Sequence, residues 1–237
     1  MHYGGYSNAD GTVLFYQRIR AILRSRARVI NVGCGRGERF SDHAERYSTK
    51  LADFRSAGEQ IRVTGVDPDP QASVNPSLDA FSIIDPQQPW AVPDEGFDVA
   101  VADFVLEHVA DPSRFLEQIW RVLKPGGCVA MRTTNRWGYV GVGSRLIPNR
   151  LHARVVGSLQ SSRQEQDVFP TSYRCNSLWA LRSSLRRARF EDVIAFGHEA
   201  EPAYLTRFPS LYGLACRVRP MVPNCLRTCL MVFATKR

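Results

Sequence analysis

The sequence predicts an α/β protein whose doubly wound, mostly parallel sheet carries helices on both faces. Three observations predict it. Short apolar runs alternate with amphipathic stretches; a glycine turn, Gly33-Cys34-Gly35-Arg36-Gly37, directly follows the first run; and the next three runs end on a carboxylate, Asp67, Asp85 and Asp103. Alternating strands and helices build a parallel sheet covered on both sides. The carboxyl ends of such strands border the ligand crevice.

Each element has its own signal. Residues 13–26 space Phe15, Ile19, Ile22 and Leu23 as a helix does, and Val29-Ile30-Asn31-Val32 then reads as a buried strand. After the glycine turn, Phe40, Ala44, Tyr47, Leu51 and Phe54 share one helical face, which predicts one helix there. Strands follow at 62–66, 80–84 and 97–102. Asp111-Pro112 reads as an N-cap with proline at the first helical position, and Phe115, Leu116, Ile119, Val122 and Leu123 supply that helix with a buried stripe. Lys124-Pro125-Gly126-Gly127 stops it before a fifth strand at 128–133. Asn176 or Ser177 caps a helix bearing Leu178, Leu181 and Leu185, and strands at 193–196 and 226–234 bring the sheet to seven. Residues 135–173 and 203–224 break the rhythm. Rich in Arg and aromatic residues, they read as insertions capping the carboxyl edge of a single domain, 1–237.

Composition narrows the class. The 237 residues are 44% hydrophobic and 23% charged, enough to bury one full core. No apolar run is long enough to span a membrane, and the first residues do not form a signal peptide. Cys34, Cys128, Cys175, Cys216, Cys225 and Cys229 form no C-x-x-C pair, so they read as reduced thiols of a cytoplasmic protein with no metal site. Charge divides unevenly: 15 basic and 17 acidic residues lie up to Thr134, then 16 basic and 6 acidic. The basic back half suits phosphate, an anionic lipid surface or nucleic acid, or is simply a solvated face.

The glycine turn admits a ligand close to the backbone. A nicotinamide fingerprint would place its third glycine where this chain has Glu38, so G-x-G-x-G describes the turn better. Asp67 at the next strand end can accept both hydroxyls of a ribose, or can simply begin the Asp67-Pro68 turn. Asp85 divides in the same way between an exocyclic amine and a turn.

Four segments, V-I-N-V-G-C-G-R-G (29–37), V-D-P (66–68), D-E-G-F-D-V-A-V-A-D-F-V-L-E-H-V (94–109) and R-V-L-K-P-G-G (121–127), together closely resemble the class I S-adenosylmethionine-dependent methyltransferases. The likeness is to the small-molecule branch that includes the quinone-biosynthesis type, and it covers residues 25–135. T-T-N-R-W (133–137) and D-V-F-P-T-S-Y-R (167–174) more loosely resemble methyltransferases of bacterial glycan and lipid biosynthesis.

The resemblance implies a Rossmann-like fold with S-adenosylmethionine as cofactor. It sets Gly33, Cys34, Gly35 and Gly37 beneath the methionine and ribose, Asp67 with Pro68 at the ribose hydroxyls, and Asp85 at the adenine amine. It sets Asp103 and Phe104 beside the sulfonium methyl. Asn31 stands where the family usually has Asp or Glu; an amide accepts a hydrogen bond from the methionine ammonium but brings no charge, so weaker cofactor binding is expected.

His108, after Glu107 at the mouth of the fourth strand, is the candidate base for an acceptor hydroxyl; the alternative is a structural loop histidine. His152 and His198 are weaker candidates, and Tyr139 is a candidate substrate contact. The chain lacks the Asn-Pro-Pro-Tyr, Asp-Pro-Pro-Tyr and Pro-Cys signatures of nucleobase methylation, so no DNA partner is expected.

The expected acceptor is a small molecule, sugar, quinone or lipid-linked intermediate, methylated on oxygen. A nicotinamide-dependent oxidoreductase and a non-catalytic cofactor-binding module are the alternatives. Arg145, Arg150, Arg154, Arg207, Arg217, Arg219 and Arg227, interleaved with apolar residues, suit either a lid that meets a phosphate-bearing or lipid-linked acceptor at an anionic membrane surface or an ordinary solvated lid. The sequence leaves the oligomeric state open.

Overall fold

The computed structural model describes residues 10–146, 171–199, 202 and 208–237. Its strands are β1 (Arg28–Val32), β2 (Arg62–Asp67), β3 (Ala80–Ile83), β4 (Phe97–Asp103), β5 (Leu123–Thr134), β6 (Phe190–His198) and β7 (Cys229–Lys236). They form one sheet in the order β3-β2-β1-β4-β5-β7-β6, in which β7 runs antiparallel to both of its neighbours. The expected mostly parallel seven-stranded sheet is therefore present. Its helices are α1 (Gly11–Ile22), α2 (Glu38–Asp42), α3 (Tyr47–Ala52), α4 (Pro112–Val122), α5 (Tyr139–Leu146), α6 (Leu178–Arg187) and α7 (Pro209–Val218).

Strand alternation sorts the core into two layers. Ile30, Ala100, Ala102, Val129 and Met131 point to one face, where Leu116, Ile119 and Val122 of α4 and Leu181 and Leu185 of α6 cover them. Val29, Val99, Val101 and Ala130 point to the other, against Phe15, Tyr16 and Ile19 of α1 and Leu51 of α3. Period-two burial on both faces produces the near-continuous apolar runs seen in the sequence.

The caps follow the chemistry of their residues. Asp111 Oδ1 accepts from the Ser113 and Arg114 amides, and Pro112 opens α4 as expected. Ser177, rather than Asn176, caps α6, its hydroxyl accepting from the Ala180 amide. Asp10 caps α1 through the Thr12 and Val13 amides, so this helix begins and ends earlier than residues 13–26.

One expected element divides. The helix predicted after the glycine turn is instead α2, α3 and a 3-10 turn at Phe54–Ala57. The periodic stripe is not buried continuously, because Tyr47 stays exposed while Leu51 and Phe54 pack under α1. Asp53 starts the 3-10 turn by accepting from the Arg55 amide. Packing on α1 thus overrides the helical period.

The two stretches expected to be insertions follow strands that end at the sheet's carboxyl edge, since the end of β5 pairs with the start of β7 at Thr134 and Cys229, and His198 pairs there too. Asn135 joins the chain leaving β5 to the segment that leads into β7: its Nδ2 donates to the carbonyls of Cys225 and Arg227, and its Oδ1 accepts from the Trp137 amide. His152, Arg150, Arg154, Arg207 and the 167–170 stretch lie outside the described residues, as does the side chain of Arg145. Among the described residues, no helix is long and apolar enough to cross a membrane.

Candidate active site

The site begins where β1 stops. Gly33 turns the chain at φ +64°, its amide donating to the Val66 carbonyl at 2.8 Å; a Cβ here would fall 2.5 Å from Val105 Cγ2. Gly35, at φ +57°, has nothing within 4 Å of where a Cβ would lie. Its bare face is open, which is the geometry a backbone cradle for a ligand requires.

Two polar side chains hold this loop. Asp67 Oδ2 accepts from the Gly35 amide at 3.0 Å and its Oδ1 from the Asp69 amide at 2.9 Å. Asn75, buried after β2, donates through Nδ2 to the carbonyls of Cys34 and Gly35, while its Oδ1 takes the Ser77 amide and hydroxyl. Nothing in the local sequence pattern singles out Asn75. Its only signal is a short polar group just beyond a carboxylate-ended strand, and its role depends on contact with a loop forty residues earlier.

The open face of the turn borders a cavity of about 330 Å³, within the range of roughly 300–1,000 Å³ typical of small-molecule sites. Asn31, Gly33, Cys34, Gly35, Gly37, Asn75 and Ser77 line one part of it; Tyr16, Arg39, Val101 and Asp103 line another. Burial, and then the charge of Asp67, push the Cys34 thiol up to about 12, so it stays protonated and adds no anion.

Asp103 sits in a network that the sequence did not reveal. Arg132 donates to it through Nε at 2.6 Å and Nη2 at 2.8 Å, and Tyr16 donates its hydroxyl to Oδ2 at 2.7 Å. Arg39 donates in turn to the Tyr16 oxygen and stands 3.6 Å from Asp103. Burial alone would raise the Asp103 carboxyl, but the Arg132 guanidinium and its hydrogen bonds carry it below the usual carboxylate range. Burial and the Asp103 charge raise the Tyr16 phenol, so it remains a hydrogen-bond donor. A recoverable signal existed: Arg132 occupies an otherwise apolar strand run, and a buried guanidinium needs a carboxylate partner.

The remaining candidates lie outside the cavity lining. Asp67 is buried behind the turn that it holds, and Pro68 is exposed beside it. Asp85 is exposed and accepts from the Gln87 amide, as a turn-initiating aspartate does. Phe104, at φ +56°, places its ring 4.6 Å from the Arg132 guanidinium carbon. His108 is exposed on the loop after β4. Its neighbour Glu107 is only 4% exposed and accepts the hydroxyls of Thr133 at 2.7 Å and Thr134 at 3.2 Å. Burial raises the Glu107 carboxyl. Asn176 Nδ2 donates to Thr133 Oγ1 and so extends this clamp to α6.

A seven-stranded sheet with β7 reversed, a glycine turn at the end of β1 and a cavity between β2 and β4 together define a Rossmann-like protein of the class I S-adenosylmethionine-dependent methyltransferase type. The chain belongs to the methyltransferase domain family, whose model matches residues 11–183. It is 31% identical over 135 residues to a ubiquinone biosynthesis O-methyltransferase from Xanthomonas oryzae pv. oryzae, a match covering 53% of this chain and 54% of that protein. The chain thus spans about half the length of these curated relatives. A protein of the same description from Xylella fastidiosa is 27% identical over 213 residues, covering 84% of this chain and 77% of its own. Among solved structures, an S-adenosylmethionine-dependent methyltransferase from Mesorhizobium loti superposes with a TM-score of 0.55 at 17% identity, covering 96% of this chain and 99% of that one. At that identity the likeness shows the fold.

Proposed function

We propose that the chain binds S-adenosylmethionine in the cavity above Gly35 and transfers its methyl group to an oxygen of a small-molecule or lipid-linked acceptor. The bare Gly35 face, with Asp67 fixed behind it and Asp103 across β1, is the observation that carries this reading. Oxygen as the acceptor atom rests on the similarity to ubiquinone biosynthesis O-methyltransferases. Location in the cytoplasm, an insertion lid over the carboxyl edge and contact with an anionic membrane belong to the same proposal.

The bound cofactor would supply an activated methyl on a sulfonium. In this assignment Gly33, Cys34, Gly35 and Gly37 offer backbone to the methionine and ribose, with Asn31 beside them. Asp67 would take the ribose hydroxyls and Asp85 the adenine amine, each exchanging an amide partner for the ligand or accepting a second donor on a free lone pair. Asp103 and Phe104 would lie beside the sulfonium methyl. The protein's task is then to align the acceptor and exclude water. Calorimetric titration with S-adenosylmethionine and with NAD tests the reading: binding of the first in the micromolar range supports it, and tighter binding of NAD would overturn it.

We assign His108 the acceptor's proton, because it lies on the loop leaving β4 at the carboxyl edge and faces solvent, where an acceptor can reach it. His108→Ala should lower turnover by about 10²-fold with cofactor affinity unchanged. Turnover on labelled S-adenosylmethionine measures this; a variant that keeps most of its activity would make alignment alone sufficient.

A further inference from the structure

The apolar side of α7 is turned outward. Along α7 and the 3-10 turn that continues it, Arg219–Met221, the side chains of Leu211, Leu214, Val218 and Met221 recur at helical spacing and are 46% to 78% exposed. The half-buried residues Tyr212, Ala215, Cys216 and Arg219 share the opposite side, and no residue of α7 is buried. Single exposed apolar side chains are ordinary, whereas a contiguous stripe marks a contact surface.

Charge says what the stripe meets. From Pro202 to Arg237 the sequence holds no Asp or Glu, while Arg217 and Arg219 flank the stripe. α6 contributes across a groove lined by Trp179, Arg182, Ser183, Arg186 and by Cys225 of the chain leaving α7. Trp179, Arg182 and Arg186 are exposed, and α6 contains no acidic residue either. Position ties this face to the site. Asn224 Oδ1 accepts from the Gly197 amide at 2.7 Å and Arg227 Nη1 donates to the Gly197 carbonyl at 3.1 Å, so the chain after α7 is fastened to the end of β6. β6 ends and β7 begins at the carboxyl edge, which also carries the glycine turn at 33–37. β7 lies three strands from β1, about 14 Å away at the usual strand spacing.

We propose that the stripe of α7 seats the chain on an anionic lipid bilayer, with Leu211, Leu214, Val218 and Met221 in the acyl boundary and Arg217, Arg219 and the arginines of α6 at the lipid phosphates. The inference rests on the membrane contact proposed above and deepens it: it names the surface, and it sets the carboxyl edge beside the bilayer from which a lipid-linked acceptor would come. A helix lying in the interface binds through its buried apolar area and through attraction of its cations to anionic lipid. Arginine stems lie along apolar surface while the guanidinium holds a phosphate, and a tryptophan such as Trp179 is favoured at the same boundary. A second copy of this chain fits less well. Pairing the stripe with itself would bring Arg217 and Arg219 of both copies together, with no carboxylate from 202 to 237 to balance them.

Vesicle sedimentation with two compositions, phosphatidylcholine alone and equal parts of phosphatidylcholine and phosphatidylglycerol, makes the test. The wild type should pellet with the mixed vesicles, stay in solution with phosphatidylcholine alone, and be released as salt is raised. Leu214→Glu with Met221→Glu should weaken partitioning into the mixed vesicles by about 30-fold or more, since two charges enter the stripe. Arg217→Gln with Arg219→Gln should weaken it by about 5-fold per residue. None of these side chains is buried, so thermal midpoint and S-adenosylhomocysteine affinity should match the wild type. Calorimetry on the same preparations thereby tests the cofactor reading by itself. A wild type that stays in the supernatant with mixed vesicles at low salt would overturn the membrane contact and the inference with it. Both α7 variants pelleting as the wild type does would overturn the inference alone and leave the contact to another surface. Equal pelleting of the wild type with the two compositions would overturn the assignment of an anionic partner. A dimer in sedimentation equilibrium that Leu214→Glu with Met221→Glu dissociates would put a second copy on the stripe and overturn the proposal as well.

Discussion

Arg132→Met should destabilise the folded chain by about 3 to 5 kcal/mol, read as a lowered urea midpoint at unchanged slope. The side chain is 4% exposed, and its three nitrogens donate to both oxygens of Asp103 and to the Thr12 hydroxyl. Methionine matches the length but leaves the Asp103 carboxylate buried with the Tyr16 hydroxyl and the half-exposed Arg39, 3.6 Å away, in place of a two-bond partner. The penalty is chiefly that of an unpaired buried charge, not the net value of the pair. Removing both partners should therefore cost less than the two single changes together, so Arg132→Met with Asp103→Leu is the companion variant.

The pH dependence has a definite sign. In the wild type the Asp103 carboxyl is depressed below its unfolded value, so its contribution is full above the unfolded pKa of about 4 and is lost as pH falls through the folded one. Without Arg132, burial raises that carboxyl instead, and the variant loses stability as pH rises through the same region. The gap between the two proteins should widen from pH 3 to pH 7. A gap below about 1 kcal/mol that does not change with pH would show that the pair is not the structural tie proposed.

Much of this architecture is legible because it is local. A strand ending in Gly33-Cys34-Gly35 needs positive φ at its turn, and Asp111 before Pro112 needs no distant partner to start α4. The sheet follows from apolar runs buried on both faces, and the two core layers follow from their alternation. What the sequence concealed depends on distance along the chain. Tyr16 meets Asp103 across 87 residues and Arg132 meets it across 29. Read by period, α1 offers Phe15 and Ile19 as its core stripe and does not mark Tyr16, although Tyr16 lines the cavity and donates to Asp103. The break between α2 and α3 has the same cause, since the helical stripe there was correct in spacing but only partly covered. For the candidate site, the turn residues Asn31, Gly33, Cys34, Gly35 and Gly37, with Asp103, gather at one cavity. Asp67 and Asp85 hold backbone amides and stand outside its lining.

Gly35→Leu should abolish cofactor binding while leaving a folded protein, because the two glycines of the turn are required for different reasons. At Gly33 a Cβ would meet Val105 Cγ2 at 2.5 Å, so Gly33→Ala strains the packing between β1 and the loop after β4 and should be read mainly as lost stability. At Gly35 a Cβ meets nothing within 4 Å, so the space is available in the empty fold and the side chain grows into the cavity. The backbone there is left-handed, which costs a leucine about 1 to 2 kcal/mol. The amide of residue 35 can still donate to Asp67, so the loop retains its tie. Affinity for S-adenosylhomocysteine should fall by about 100-fold or more, since the leucine fills the volume where a ligand would rest on bare backbone. Calorimetry and thermal unfolding on the same preparation separate the two effects. A Gly35→Leu chain that binds with wild-type affinity would remove the cofactor from this cavity, whatever the fold resembles; a chain that binds nothing yet unfolds cooperatively close to the wild type places the cradle at Gly35.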